Sequence, residues 1–288
     1  MAIPQVLELA PQLKARIWGG RRLAKTYAAS SNEPLGEAWV VFDGNEVVGG
    51  RYAGRIFKEV MPDLGEEFLG REFIEKYGYE YPLMIKFIDA AEWLSVQVHP
   101  NDEYAAEFEE ESGYSGKEEA WLILDAAPDA RIVYGLAREA SAEEVRRAAL
   151  DGSLSKMLNY VKVSKGDFIY LPAGTIHALG PGILAAEVSQ RSDLTYRLFD
   201  YGRGRELHIE KALEVADLTL VNPEVQRAET EFRFLGRKFE IGLGTDKLHV
   251  KTDPTALVPV DEMGNGIVIA IGGIYEAAGV TYFYCQPR

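Results

Sequence analysis

Gly166-Asp-Phe-Ile-Tyr-Leu-Pro-Ala-Gly-Thr-Ile-His177 is the stretch from which the rest of the chain is read. Gly-Asp makes a turn, four aromatic and branched residues make a short strand, Pro-Ala-Gly makes a second turn, and His177 opens the next strand at a fixed offset. Outward from it the same grammar recurs. Short runs rich in β-branched and aromatic residues lie at 37–42, 82–89, 93–98, 120–124, 168–171, 183–188 and 194–199, most of them separated by Gly, Pro, Asn or Asp. That spacing predicts an antiparallel sandwich or barrel, mainly β, with helices in the minority. The clearest helix follows Ser141, where Ser-Ala-Glu-Glu places Glu144 for a capping box and Gly152 offers a left-handed stop. Further helices are expected at 66–77, 102–111 and 209–220. Near Asn222-Pro223 the pattern breaks, and short β-like runs follow at 232–234, 239–243 and 266–271. The expected organisation is a domain over 1–222 and a small β domain over 223–288.

Two other segments carry chemistry. In Ser95-Val-Gln-Val-His99, strand alternation puts Trp93, Ser95, Gln97 and His99 on one face and Leu94, Val96 and Val98 on the other. Such a face is also what a solvated strand side looks like. In Gly116-Lys-Glu-Glu-Ala-Trp, Lys117 and Glu119 share a face that Glu118 does not. Taken alone, that is also an ordinary charged strand entry. Lys86, inside the apolar run Leu-Met-Ile-Lys-Phe-Ile, needs a partner or an opening.

The segment ending at His177 resembles the second motif of the cupin superfamily: glycine, five residues, proline, one residue, glycine, two residues, histidine. The motif's closing asparagine is absent, and Pro181 follows instead. With that register, Gln97 and His99 fall where cupins carry paired histidines, and Glu119 where they carry a carboxylate. Glutamine in place of one histidine resembles the type I phosphomannose isomerases. Trp18-Gly-Gly, Gly36-Glu-Ala-Trp39, the run from Pro82 to Ala90, Ser95-Val-Gln-Val-His-Pro100, Gly116-Lys-x-Glu119 and Gln190-Arg-Ser-Asp-Leu-Thr-Tyr-Arg197 match that family in order. The resemblance spans about residues 10–220 and is to the short form without the family's helical domain.

It implies a cupin jelly-roll barrel and a metal-free, cupin-like second half. The implied activity is the interconversion of mannose 6-phosphate and fructose 6-phosphate through an enediol; a glucose 6-phosphate isomerase and a phosphosugar sensor without turnover are the alternatives. It implies Gln97, His99, Glu119 and His177 as metal ligands, Arg197 as a fixed positive charge, and Asp193 as a proton-transfer group or as the residue that orients Arg197. Trp18 and Lys86 match positions lining or supporting the pocket, with Lys86 a candidate phosphate contact. Lys117 is expected beside the metal, with a pKa lowered by the cation and by partial burial so that it exchanges protons, or equally as a residue holding substrate hydroxyls or the phosphate. The donor set itself, two imidazoles, a carboxylate and an amide oxygen, suits Zn2+, with Fe2+ or Mn2+ able to occupy it.

Composition narrows the class further. The chain has 288 residues, a net charge of -14 and one cysteine, Cys285. No internal disulfide can form, which points to a reducing compartment. The acidic balance argues against nucleic acid and anionic membrane as partners. No run reaches the roughly 18 apolar residues of a membrane span, and the start lacks the pattern of a signal peptide. A cytoplasmic monomer or homodimer acting on a small phosphosugar is the expectation. Of the four histidines, His208 reads as a helix-entry residue and His249 as part of a late strand.

Overall fold

The computed structural model describes residues 3–219, 223–229 and 232–288. The opening segment crosses between two sheets. Asp167–Leu171 pairs with Glu119–Ala126, with Leu171 opposite Glu119. After the Pro172-Ala-Gly174 turn, His177–Leu179 joins a different sheet, with His177 opposite both Gln97 and Tyr134. Gly174 has φ +87, and a Cβ there would meet the Val215 carbonyl at 2.9 Å, so the corner requires glycine. Its N–H donates to the His99 carbonyl at 2.9 Å, which ties the two histidine-bearing segments together.

The first sheet has seven strands, in the order Val225–Arg227, Asp167–Leu171, Glu119–Ala126, Ile183–Gln190, Leu83–Ala90, Gln12–Gly20 and Leu35–Val41. The second has five: Tyr196–Phe199, Val96–Val98, His177–Leu179, Arg131–Leu136 and Leu158–Lys162. Together they form the expected jelly-roll barrel. A third sheet of seven strands runs Arg233–Leu235, Phe239–His249, Ile274–Pro287, Thr255–Pro259, Gly266–Ile269, Val6–Leu9 and Val47–Val48. Strand pairing therefore crosses the sequence division expected at 222/223, and Asn222 itself lies outside the described residues. Two N-terminal strands complete the C-terminal sheet, while Val225–Arg227 extends the barrel.

Residue parity explains the layering. In Glu119–Ala126, Trp121 and Ile123 pack in the barrel, whereas Ala120 and Leu122 belong to the apolar core that also holds Phe239, Ile241, Phe283 and Cys285. In Leu83–Ala90, all eight residues are buried: Leu83, Ile85 and Phe87 join that same core, and Ile88 and Ala90 face the barrel. The strand Ile274–Pro287 lies between Phe239–His249 and Thr255–Pro259, so its apolar C-terminal run is covered within this chain. Burying Phe283 completely stabilises the fold by about 1.5–3 kcal/mol.

The capping box at Ser141 and Glu144 forms as expected, and the helix Ala142–Asp151 ends at left-handed Gly152. Other helices differ from expectation. Instead of one helix at 66–77 there are two, Phe57–Leu69, kinked within at Gly65, and Arg71–Tyr77, separated by Gly70, both glycines taking positive φ. Asp102–Phe108 stops early and passes into a short 3-10 turn at Glu110–Ser112. Ile209–Val215 ends where Ala216 becomes extended; of the expected span, Leu220 lies outside the described residues. No helix among the described residues is long and apolar enough to cross a membrane.

Candidate active site

The two sheets bring three segments to one point. His99 follows the strand Val96–Val98, Glu119 begins its strand in the facing sheet, and His177 begins the strand after the Gly174 corner. One ligand atom from each of the three lies within 4.8 Å of the other two, and all three residues are buried. His99 Nε2 is 3.4 Å from Glu119 Oε2, and His177 Nε2 is 3.2 Å from Glu119 Oε1. Gln97 Nε2 lies 3.3 Å from His177 Nε2, so the amide joins the same cluster.

Each imidazole is oriented from behind. His99 Nδ1 is 2.7 Å from the Leu194 carbonyl and His177 Nδ1 is 2.8 Å from the Thr175 carbonyl. With Nδ1–H donating to a carbonyl, each Nε2 lone pair points at the shared space. Burial, then the Lys117 cation, pulls the His99 pKa down to about 3, which keeps the ring neutral and ready to ligate. Both Glu119 oxygens are buried without a well-directed hydrogen bond, although Lys117 Nζ lies 2.6 Å from Oε2. Burial alone would favour protonating Glu119. Lys117, followed by His177, outweighs it and holds the carboxylate ionised far below the usual range. An anionic carboxylate between two imidazole Nε2 atoms fits a divalent cation, and the absence of thiolate favours a borderline metal with a free position.

Gly116 makes this strand entry possible. A Cβ there would sit 2.3 Å from the Asn101 carbonyl carbon, so only glycine lets Lys117 and Glu119 enter the barrel beside the helix Asp102–Phe108. Lys117 is buried and points inward, as its face predicts. The expected lowering of its pKa is tied to a bound cation; without one, the protein's own groups set the value. Burial lowers it, but Glu119 and then Glu187 outweigh that penalty and hold the ammonium above the ordinary lysine value.

Beside the cluster opens a cavity of about 370 Å³, lined in part by Trp18, Lys86, Gln97, Lys117, Asp193 and Arg197. All nine residues singled out in the sequence therefore lie at the cluster or on this cavity. Lys86 has both partner and opening: its Nζ is 3.5 Å from Glu187 Oε1 and 5.0 Å from the Trp39 ring centre. Trp18 is both core residue and cavity wall. Asp193 is exposed and forms no ion pair with Arg197 among the described residues; Arg197 Nη1 donates to the Glu206 carbonyl at 2.8 Å. Arg197 Nε is buried without a partner, and its pKa is lowered by burial and by Arg205. His208 caps the helix Ile209–Val215 by position, and its Nδ1 accepts from the Arg197 N–H at 3.1 Å.

The sequence reading missed Glu187. It stands opposite Lys86 in register, lies 3.6 Å from Lys117 Nζ, and accepts from Trp121 Nε1 at 3.2 Å. The signal was present: Glu187 is a lone carboxylate within Ile-Leu-Ala-Ala-Glu-Val, the counterpart of Lys86 in its own apolar strand. Glu37, Arg16 and Arg205 also line the cavity and were not singled out.

Residues 6–122 match the family model for the catalytic domain of phosphomannose isomerase type I. The mannose-6-phosphate isomerase ManA of Bacillus subtilis (strain 168) is 42% identical over 218 residues, which cover 72% of this chain and 67% of that protein. This chain belongs to the type I mannose-6-phosphate isomerase family. A crystal structure of the mannose 6-phosphate isomerase from Bacillus subtilis superposes with a TM-score of 0.78 at 26% identity, covering 98% of this chain and 100% of that one. A structure described as zinc-bound mannose 6-phosphate isomerase shares the fold at 17% identity, with a TM-score of 0.76 over 99% of this chain and 100% of that one. The mainly β cupin architecture is thus that of the mannose-6-phosphate isomerases.

Proposed function

We propose that this chain is a metal-dependent aldose-ketose isomerase that interconverts mannose 6-phosphate and fructose 6-phosphate, with Zn2+ held by Gln97, His99, Glu119 and His177. The observation that carries the reading is the buried Glu119 carboxylate, without a well-directed hydrogen bond among the described residues and flanked by two imidazole Nε2 atoms within 3.4 Å. When bound, the cation would supply Lewis-acid stabilisation of the negative charge that builds on the sugar oxygens.

The chain's own residues account for the rest. Lys117, placed between Glu119 and Glu187, reaches the cavity with an amine that as ammonium hydrogen-bonds a developing oxyanion and gives up a proton to it. Glu187 holds Lys86 and Lys117 near one carboxylate and so fixes two cations on the cavity wall. Arg197 brings a guanidinium whose Nε has no protein partner to satisfy it. Asp193, exposed on the cavity lining, suits proton transfer during ring opening better than orientation of Arg197, with which it forms no ion pair among the described residues. Trp18 and Leu94 close the wall with apolar surface and limit water.

We assign the barrel to catalysis and the C-terminal sheet, with the two N-terminal strands that complete it, to support, in a cytoplasmic setting consistent with the lone, buried Cys285. The test is to purify the protein without added metal, measure its metal by mass spectrometry, and assay mannose 6-phosphate, glucose 6-phosphate and fructose 6-phosphate before and after chelation. Zinc near one per chain and a mannose–fructose activity abolished by chelator and restored by zinc are expected. Saturable binding without turnover in the zinc-restored protein would replace this reading with a sensor, and turnover of glucose 6-phosphate alone would change the substrate.

A further inference from the structure

A second cavity, of about 450 Å³, lies by the segment that leads into the strand carrying Glu119, lined there by Gly113 and Ser115, where the turn between Arg233–Leu235 and Phe239–His249 meets the barrel. Five cationic side chains line it, Lys76, Arg191, Arg237, Lys238 and Arg288, against two carboxylates, Glu80 and Asp102. In a chain of net charge -14, such a local excess of positive charge runs against the general field. Concave walls focus it further.

The carboxylates are already engaged. Glu80 takes Arg191 at 2.6 Å and also pairs with Lys58. Asp102 takes Lys238 at 2.6 Å, and its carboxyl pKa is lowered even though burial opposes this. What remains is positive. Arg237 is 76% exposed, with Glu118 at 3.9 Å as its nearest ion-pair partner, while Lys76 and Arg288 form no ion pair among the described residues. Arg288 Nη1 donates to the Gly236 carbonyl at 2.8 Å, which holds its guanidinium beside this turn. Cations converging from the end of a helix, the end of a strand and a turn form an arrangement that a multiply charged oxyanion completes, because arginine forks and a lysine suit phosphate oxygens.

We propose that this cavity is a binding site for a phosphate dianion, free or as a phosphate ester, separate from the metal-side cavity. Two of its lining residues, Asp102 and Gln190, also reach the entry of the catalytic strand. Asp102 Oδ1 accepts from the Gly116 N–H at 2.9 Å and from Gln190 Nε2 at 3.0 Å, while Gln190 Oε1 accepts from the Glu118 N–H at 2.9 Å. An anion that competes with Asp102 for Lys238 alters the network that holds Lys117 and Glu119 in place.

The test is calorimetric titration of the metal-loaded full chain at low salt with inorganic phosphate and, separately, glycerol 3-phosphate, which tells free phosphate from an ester. Wild type, the double variant Lys76→Ser with Arg237→Ser, and Arg197→Gln, which alters only the metal-side cavity, are compared. The site is supported if the double variant loses one binding event, or weakens it by about tenfold or more per cation removed, while Arg197→Gln retains that event. Wild-type binding in the double variant, or a single event abolished by Arg197→Gln, overturns it. Hydrogen exchange at the Gly116 and Glu118 amides reads the coupling: phosphate changes both rates in wild type but not in the double variant. Unchanged rates in phosphate-saturated wild type would refute the coupling.

Discussion

The strand Glu119–Ala126 separates two regions of opposite chemistry. Toward the barrel it shows Glu119 among His99, His177 and Lys117, with Lys86 and Glu187 close by, all with 5% exposure or less. Toward the C-terminal sheet it shows Ala120 and Leu122 against a core holding Phe57, Phe87, Phe239 and Phe283. Buried charge is costly unless paired, and even a paired cluster adds little stability over apolar packing of the same volume. A fold that concentrates that cost on one side of a sheet and keeps the other side apolar has divided binding from support.

The largest expected effect breaks the barrel side. Glu119→Gln removes the anionic ligand and leaves Lys117 with Glu187 as its remaining close carboxylate; metal affinity should fall by about 100-fold or more, and activity with it, as mass spectrometry of the purified variant and a coupled assay will read. Retention of metal at the wild-type level would disprove the ligand assignment. Lys117→Ala should keep its metal and lose turnover by about 10²–10⁴-fold. A loss of metal instead would make Lys117 a structural partner of Glu119.

On the other side, Phe283→Ala should cost about 3–5 kcal/mol of unfolding free energy in urea, with metal content and turnover per folded molecule near wild type. If turnover fell alone, the supporting role of the C-terminal sheet would be wrong. The smallest effect belongs to neither region and serves as a baseline. Glu144, partly exposed, is held down to about 2 from an ordinary 4.5 by the Ser141 backbone N–H, then by Arg138. Its folded pKa is depressed, so its contribution is present above pH 4.5 and fades as the pH falls through about 2. Urea unfolding of wild type and Glu144→Gln should therefore differ slightly at pH 6 and converge in acid.

Much of the site was legible because strand period and turn chemistry are local. Gln97 and His99 shared a face by alternation, as did Lys117 and Glu119, and the turn before His177 announced its corner. The helix at 142–151 was equally legible from Ser141, Glu144 and Gly152. The break between Phe57–Leu69 and Arg71–Tyr77 was not anticipated, although Gly65 and Gly70 stood in the sequence. The start at Phe57 was missed because its N-cap, Ile56, supplies no side-chain hydrogen bond.

By itself the sequence determined the barrel class and pointed to the candidate ligands and much of the cavity wall, since a two-residue period, a glycine at each tight approach and the resemblance to a known family are all written along the chain. Only the tertiary structure decided that Glu187 meets Lys86 and Lys117, that Val6–Leu9 completes the far sheet, and that Lys117 is flanked by two carboxylates. These depend on register between strands distant in sequence and on which charges packing brings within a few ångströms. Neither is a property of any single segment.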